Sequence, residues 1–140
     1  GGFGGTLELI KAYPFVYGAV GVHPDDAGIM TQDTLDEIRR LSHLEKMVAI
    51  GEIGLDYYWH KEEAEHKQQQ EMFRAQMDIA REEKLPFMIH SRDAAEDTLE
   101  IVKEYMKKDM SGGIIHCFSY SKEIAAEYLK WDFILALAAW

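Results

Sequence analysis

Short apolar runs alternate along the chain with longer segments in which apolar residues recur every three or four positions. Short apolar runs are typical of buried strands, and the three-to-four spacing is typical of amphipathic helices. The chain is therefore predicted to alternate strands and helices. The predicted strands are Phe15–Val22, Met47–Ile50, Phe87–Ile89, Gly113–Ile115 and Phe133–Ala138. The predicted helices are Thr6–Ala12 and, approximately, Asp33–Glu45, Glu63–Glu83, Asp93–Lys107 and Glu123–Lys130.

Local signals suggest where these helices begin and end. Asp33 suits an N-cap, and Asp93 with Glu96 resembles a capping pair. The long third helix is expected to end before Pro86, because proline disfavours helical conformation in the preceding residue. One face of that helix is predicted to be mostly buried, and it carries Met72, Phe73, Gln76, Met77 and Ala80.

Apolar strands this short, separated by helices, are typical of a parallel sheet that is covered on both faces. Two architectures fit: an open doubly wound sheet and a (β/α) barrel. No glycine-rich nucleotide-binding pattern follows any predicted strand, which disfavours a nucleotide-binding open sheet. Residues 1–140 are interpreted as a single α/β domain.

Composition narrows the class of protein. The 140 residues are 47% hydrophobic and carry a net charge of −10 with a pI near 5.0. That charge argues against a protein that coats nucleic acid through a broad basic surface. The longest apolar runs are too short to cross a membrane, so no membrane partner is expected. The single cysteine, Cys117, cannot form an internal disulfide, which is consistent with a cytoplasmic protein.

A residue of a metal-binding type follows each of four successive predicted strands. These residues are His23, Glu52, His90 and His116. In a parallel barrel the carboxyl ends of the strands converge on one face, where catalytic residues lie. An open sheet would spread the same residues along an edge.

Imidazoles and a carboxylate form a suitable ligand set for a divalent ion such as zinc, manganese or ferrous iron. Such an ion lowers the pKa of bound water toward about 7. Glu52 is also able to bridge two ions. Arg92, close to His90 in the sequence, has a planar guanidinium that suits an anionic substrate oxygen.

Each of these residues, taken singly, also has an ordinary structural interpretation. His23 suits a loop, Glu52 suits a turn, and His90 and His116 suit hydrogen-bonded positions in the core. Asp93 suits a helix cap better than a metal ligand. The metal-site hypothesis depends on the repeated position of four residues at strand ends.

Structural roles are also expected for several neighbouring residues. Asp56 is expected to face solvent, and His60 and His66 are expected to be solvated. The aromatic cluster Tyr57–Trp59 suits a substrate shelf, but packing over the barrel mouth is the more common role of such a cluster. Cys117 suits a small buried position.

Four stretches are distinctive in their order and spacing: Gly21–Pro24, Gly51–Tyr58, Leu85–Ala94 and His116–Ser119. Together they closely resemble the TatD-like metal-dependent deoxyribonucleases over roughly residues 13 to 128. The resemblance implies an amidohydrolase-type TIM barrel. It also implies metal-dependent cleavage of DNA phosphodiester bonds, often as a 3′-to-5′ exonuclease.

The resemblance implies roles for individual residues. Glu52, His90 and His116 correspond to metal ligands, with Glu52 shared between two ions and taking part in catalysis. His23 corresponds to an active-site histidine that contacts the substrate phosphate, and it is assigned to catalysis. Arg92 is assigned to substrate binding on the chemistry of its guanidinium and not on the resemblance. Magnesium, manganese or zinc is the expected cofactor, with up to two ions in the intact protein.

The chain also departs from the family pattern. The His-x-His pair of the family's first strand and the metal-binding aspartate of its late strands do not occur here. Asp25 and Tyr120 stand where the family usually has a histidine and a glycine. Because a full barrel takes about 250 residues, the chain is predicted to hold about strands two to six of eight.

Three hypotheses follow. In the first, the chain is part of a TatD-like nuclease, binds one divalent ion and hydrolyses DNA feebly or not at all. In the second, the same barrel acts on another ester or amide, since one fold hosts many chemistries. In the third, the chain is a non-catalytic fragment that associates with itself through the open edges of its sheet.

Overall fold

A computed structural model describes residues 3–110, 112–116, 120–131 and 133–136. Strands and helices alternate along the described chain as the apolar pattern predicts. The helices are α1 (Gly4–Ala12), a 3-10 helix (Pro24–Ile29), α2 (Gln32–Ser42), α3 (Glu63–Glu83), α4 (Ala95–Met106) and α5 (Lys122–Leu129). The strands are β1 (Gly18–Val20), β2 (Met47–Asp56), β3 (Phe87–Arg92), β4 (Gly113–Ile115) and β5 (Ile134–Leu135).

The five strands form one parallel sheet in the order β1-β2-β3-β4-β5. Each strand therefore pairs with the next strand along the chain, which is the order of strands in a barrel. The outer edges of β1 and β5 have no partner strand within the described residues. None of the described helices is both long and apolar enough to span a bilayer.

The central strands are longer than predicted. Strand β2 continues through Gly51 and Gly54 to Asp56, and β3 continues to Arg92. Glu52 and His90 consequently lie inside strands, not after them. Strand β1, in contrast, is shorter than predicted and covers only three residues. The predicted end of β5, at residues 137–138, lies outside the described residues.

The core lies between the sheet and its helices, and α3 and α4 are the helices that contribute most to it. Phe73, Met77 and Ala80 are buried on the face of α3 that the sequence pattern predicts. They belong to one apolar cluster with buried residues of the central strands, such as Ile53 and Ile89. Burial of each such large side chain stabilises the fold by about 1.5–3 kcal/mol, so the packing of α3 on the sheet stabilises the strands that carry the polar residues.

The two predicted caps are wrong in detail. Thr31, not Asp33, caps α2, and it forms a reciprocal capping box with Thr34. At α4 the N-cap position is occupied by Ala94, which has no side chain able to cap. Asp93 instead has a φ of 52°, in the left-handed region that aspartate tolerates better than most residues. The chain therefore turns sharply at Asp93 between β3 and α4.

Gly54 has a conformation that requires glycine. Its φ is 138°, which L side chains rarely adopt. It pairs with His90 on β3, and a Cβ at this position would overlap the carbonyl oxygen of His90. The absence of a side chain at Gly54 thus allows β2 and β3 to approach closely beside Glu52 and His90.

Candidate metal centre

The carboxyl ends of four neighbouring strands bring the polar residues together. His23 follows β1, Glu52 and Asp56 lie on β2, and His90 lies on β3. His116 follows β4 and donates its backbone N–H to Ile89. The predicted convergence of the strand ends is therefore present in the structure.

Three side chains form a compact donor group: His23, Glu52 and His90. One ligand atom from each lies within 4.8 Å of the other two, and all three side chains are half-buried. Metal–ligand bonds of about 2.0–2.2 Å let one ion join donors about 4 Å apart, so small side-chain rotations suffice. Two imidazoles and a carboxylate thus fit a divalent ion in both chemistry and spacing.

Glu52 lies at an irregularity of the sheet. The register between β2 and β3 shifts between Gly51 and Ile53, so Glu52 is the extra residue of a bulge. Bulges change the direction in which a side chain points and are common next to active sites. Here the bulge accompanies a carboxylate that faces two histidines, with Oε1 3.2 Å from Nδ1 of His90 and Oε2 3.4 Å from Nδ1 of His116.

His116 lies at the edge of this centre. Its side chain is 48% exposed, compared with 23% for His90. It is outside the compact donor group found among the described residues, although it contacts the second oxygen of Glu52. The structure therefore groups His23 with Glu52 and His90, and His116 contacts this group through Glu52.

The prediction that Asp56 faces solvent is wrong. It is buried, with 2% of its surface exposed, and does not face solvent. Its Oδ2 lies 2.9 Å from Nε2 of His90, and its Oδ1 accepts the backbone N–H of Tyr58 at 2.9 Å. A carboxylate on the second nitrogen of a metal-binding histidine fixes the tautomer and orientation of the ring. The flanking Ile53 and Leu55 were the available sign that this stretch is a buried strand.

The electrostatic environment of the metal-free site favours the charged forms of Glu52, His90 and Asp56. A hydrogen bond with His90 is the largest influence on Glu52 and lowers the pKa of its carboxyl group, with further help from His116. Burial opposes ionisation of His90, but its bonds with Glu52 and Asp56 outweigh burial and raise the pKa of the imidazole. Burial likewise opposes ionisation of Asp56, and the bonds from His90 and Tyr58 outweigh it and lower the pKa of that carboxyl group.

His23 has a second, structural role at the start of the 3-10 helix. Its Nδ1 accepts the backbone N–H of Asp25 at 3.1 Å. The carboxylate of Asp25 lies 3.4 Å from the same nitrogen and 3.0 Å from Nε2 of His60. Asp25, which stands where the family usually has a histidine, therefore links two imidazoles, and His60 is only partly exposed.

Arg92 lies outside the donor group. Its guanidinium carbon is 3.8 Å from the centre of the Tyr58 ring. Trp59 packs edge-on against Tyr58, with ring centres 4.6 Å apart, and is 70% exposed. Together these three residues form an exposed cationic and aromatic surface beside the donor group, which we call the aromatic platform.

Tyr57 differs from its two aromatic neighbours. It is half-buried and stacks on His66, with ring centres 3.6 Å apart and planes 13° from parallel. Its hydroxyl donates to Asp97 at 2.8 Å, and burial raises its pKa to about 12. The aromatic cluster Tyr57–Trp59 therefore divides into one packed residue and two exposed ones. His66 is held by its stacking on Tyr57 and by a hydrogen bond with the His60 carbonyl.

Tyr120 ties β3 to the loop before α4. Its hydroxyl lies 2.8 Å from Oγ of Ser91 and accepts the backbone N–H of Ala94 at 3.2 Å. The tyrosine that replaces the family's glycine thus stabilises the turn at Asp93. The preceding motif residues Cys117–Ser119 lie outside the described residues.

Sequence and structure comparisons agree on one group of proteins. A family model described as "TatD related DNase" matches residues 2–140. An "uncharacterized metal-dependent hydrolase YabD" from Bacillus subtilis is 48% identical over 131 residues, which cover 94% of this chain and 50% of that protein. A "3'-5' ssDNA/RNA exonuclease TatD" from a Pantoea species is 32% identical, covering 95% of this chain and 50% of its own length.

A solved structure gives the same result for the fold. The crystal structure of YJJV, a TatD homologue from Escherichia coli, superposes with a TM-score of 0.84 at 26% identity, over 95% of this chain and 51% of that one. This likeness confirms that the five parallel strands are a section of a TIM barrel, not an open sheet. The chain spans about half the length of the curated relatives it matches.

Proposed function

The chain belongs to the TatD-related DNase family, which includes proteins named as metal-dependent hydrolases, and we propose that the intact protein cleaves phosphodiester bonds of DNA. The observation that carries this proposal is the donor group His23, Glu52 and His90 at the carboxyl ends of the strands. The Pantoea relative's name, which specifies a 3′-to-5′ exonuclease of single-stranded DNA and RNA, supports the direction of cleavage.

Glu52 and His90 are proposed to hold a divalent ion, with Asp56 orienting the ring of His90. His116 contacts the second oxygen of Glu52, which suits a carboxylate shared between two sites in the intact protein. Zinc suits the imidazoles and the carboxylate, and magnesium and manganese suit the carboxylate oxygens. When bound, such an ion stabilises charge on a phosphoryl oxygen and makes hydroxide available near neutral pH.

His23 is proposed to serve catalysis and substrate binding. Its ring centre lies 4.3 Å from that of His90, so it faces the same space as the metal ligands. From this position an imidazole N–H is able to donate a hydrogen bond to the phosphate under attack. Because Nδ1 accepts the backbone N–H of Asp25, Nε2 is the nitrogen of His23 that is able to carry this N–H.

Arg92 is proposed to bind substrate as part of the aromatic platform. Arginine carries a planar fork that matches phosphate oxygens, and exposed aromatic rings stack on unpaired bases. The platform lies next to Asp56 and His90, because Arg92 ends the strand that carries His90. A nucleic acid strand held at the platform would therefore present its end to the donor group.

The net charge of −10 makes a metal ion important for binding as well as for chemistry. An acidic protein repels a polyanion unless cations neutralise its carboxylates locally. The affinity for DNA is therefore expected to collapse when the metal is chelated.

A substrate panel tests the proposed activity. A single-stranded oligonucleotide labelled at its 5′ end, a duplex, an aryl ester and an amide are incubated with manganese and the intact protein. Progressive shortening of the oligonucleotide from its 3′ end supports the proposal. Amide or ester hydrolysis without any nuclease activity would favour a different substrate on the same barrel.

A further inference from the structure

Two glutamines of α3, Gln69 and Gln76, are almost completely buried although neither belongs to the metal centre. They are seven residues apart, which is about two helical turns, so they project from the same face of α3 toward the sheet. A buried amide is costly unless its donor and its acceptor both find partners.

Each glutamine hydrogen-bonds both backbone groups of a single residue. Gln69 Oε1 accepts the N–H of Asp56 at 2.8 Å, and Gln69 Nε2 donates to the Asp56 carbonyl at 3.0 Å. Gln76 makes the same pair of bonds with Val22, at 2.7 Å and 3.2 Å. A side-chain amide can replace a neighbouring strand in this way, because it offers a donor and an acceptor side by side.

The two backbone segments held in this way carry the metal centre. Asp56 ends β2, and its carboxylate binds Nε2 of His90. Val22 lies just beyond the end of β1 and directly precedes His23. A shift of the Asp56 backbone would therefore reorient His90, and a shift of Val22 would move His23.

We propose that Gln69 and Gln76 are positioning residues, through which α3 sets the geometry of the donor group. Gln69 orients His90 through Asp56, and Gln76 places His23 through Val22. This inference rests on the proposed metal site and adds to it the two residues that hold its histidines in place. Neither glutamine belongs to the donor group.

Methionine and glutamate each resemble glutamine in size, but neither makes both hydrogen bonds of the side-chain amide. Methionine at either position preserves most of the volume but leaves two buried backbone groups without partners. Glutamate preserves the shape and is able to accept the backbone N–H, but it cannot donate to the carbonyl and places a negative charge against it. Both substitutions should therefore loosen one of the two histidines while α3 stays in place.

Four variants test the proposal in the purified protein: Gln69→Glu, Gln69→Met, Gln76→Glu and Gln76→Met. The matched control is Gln68→Met, because Gln68 is exposed on the same helix. Manganese affinity is measured by calorimetry, and the ring signals of His23 and His90 are followed by NMR in the metal-free protein. The two Gln69 variants are expected to bind manganese about 10-fold more weakly, as for other residues that orient metal ligands. The two Gln76 variants act on His23, which is assigned to substrate, so their effect is measured on the ring signals of His23.

The NMR signals separate positioning from a general loss of stability. The Gln69 variants should shift the ring signals of His90 more than those of His23, and the Gln76 variants should do the opposite. Ile79→Val, a buried change on the same helix, provides a destabilised protein with intact glutamines. It should bind manganese as the unmodified protein does.

The possible failures are distinguishable. If the unmodified protein binds manganese and the Gln69 variants bind it equally well, the positioning role of Gln69 is wrong and the proposed metal site survives. Unchanged ring signals of His23 in the Gln76 variants would overturn the role of Gln76. Equal disturbance of both histidines by every variant, including Ile79→Val, would also overturn the positioning role. If the unmodified protein binds no manganese, the proposed metal site itself is wrong and the positioning role fails with it.

Discussion

Glu52 and His90 face each other across adjacent strands, with Oε1 of the carboxylate 3.2 Å from Nδ1 of the imidazole. This pair stabilises the metal-free fold as an ion pair, and the structure raises the pKa of His90 and lowers the pKa of Glu52. The stabilisation from His90 is complete below its ordinary pKa of 6.5 and is lost as pH rises through its raised value in the folded protein. The stabilisation from Glu52 is complete above 4.5 and is lost as pH falls through its lowered value.

The first prediction is a pH dependence of stability in the presence of a chelator. The pair should contribute most between about pH 4.5 and 6.5. The difference in unfolding free energy between the unmodified protein and His90→Gln should therefore shrink as pH rises from 6 to 9. Urea unfolding at a series of pH values measures this difference. A difference that stays constant over that range would show that the ion pair does not stabilise the fold.

The second prediction concerns the close approach of β2 and β3. Gly54→Ala should destabilise the protein by about 3 kcal/mol, because it combines an unfavourable φ with overlap at the His90 carbonyl. Gly28→Ala is the matched control, since its Cβ would meet only Gln68 at an ordinary contact distance of 3.5 Å. Urea unfolding compares the two variants, and similar stabilities would be inconsistent with the described backbone at Gly54.

The third prediction concerns the aromatic platform. Trp59→Ala should weaken binding of a single-stranded oligonucleotide about 5- to 150-fold, because stacking of one base contributes about 1–3 kcal/mol. Phe15→Ala is the control, because Phe15 is a similarly exposed aromatic residue that precedes β1 at the opposite end of the sheet. Fluorescence anisotropy in the presence of manganese measures both affinities. An equal effect of the two substitutions would exclude the platform as the binding surface.

The fourth prediction concerns the outer strands of the sheet, whose outer edges lack partner strands among the described residues. Ile134 on β5 is 64% exposed, and an exposed apolar edge favours pairing with another chain. We expect the 140-residue chain to associate with itself, and Ile134→Lys to reduce that association. Analytical ultracentrifugation measures the mass, with Ile29→Lys as an exposed change away from either edge. A stable monomer at all concentrations would contradict this prediction.

The elements predicted from sequence are those with the strongest apolar periodicity. Helix α3 has the predicted bounds, because its buried face repeats over many turns. Strand β2 was predicted too short, since Gly51 and Gly54 are usual signs of a loop. Pairing with β3 outweighs that local preference, and both glycines are needed there because β3 approaches too closely for a side chain.

The residue types of the candidate site were predictable from the sequence, but the contacts that hold those residues in place were not. His23, Glu52, His90 and His116 follow from their positions near the strand ends, which a parallel sheet brings together. The burial of Asp56 depends on His90, 34 residues away, and on the amide of Gln69, neither of which has a local signature in the sequence. Contacts of this kind are set by tertiary packing, so only the structure reveals them.

The central claim is that Glu52 belongs to a metal site at the carboxyl ends of the strands. Calorimetric titration of the 140-residue chain with manganese tests it directly, using Glu52→Gln and the exposed Glu63→Gln as a matched pair. One tight site per chain is expected. Glu52→Gln should reduce the affinity of that site for manganese at least about 100-fold, because loss of a metal ligand costs more than loss of a residue that only orients a ligand. Glu63→Gln should leave it unchanged. Two tight sites per chain would contradict the expectation of a single ion, and a site of unaltered affinity in Glu52→Gln would contradict the claim itself.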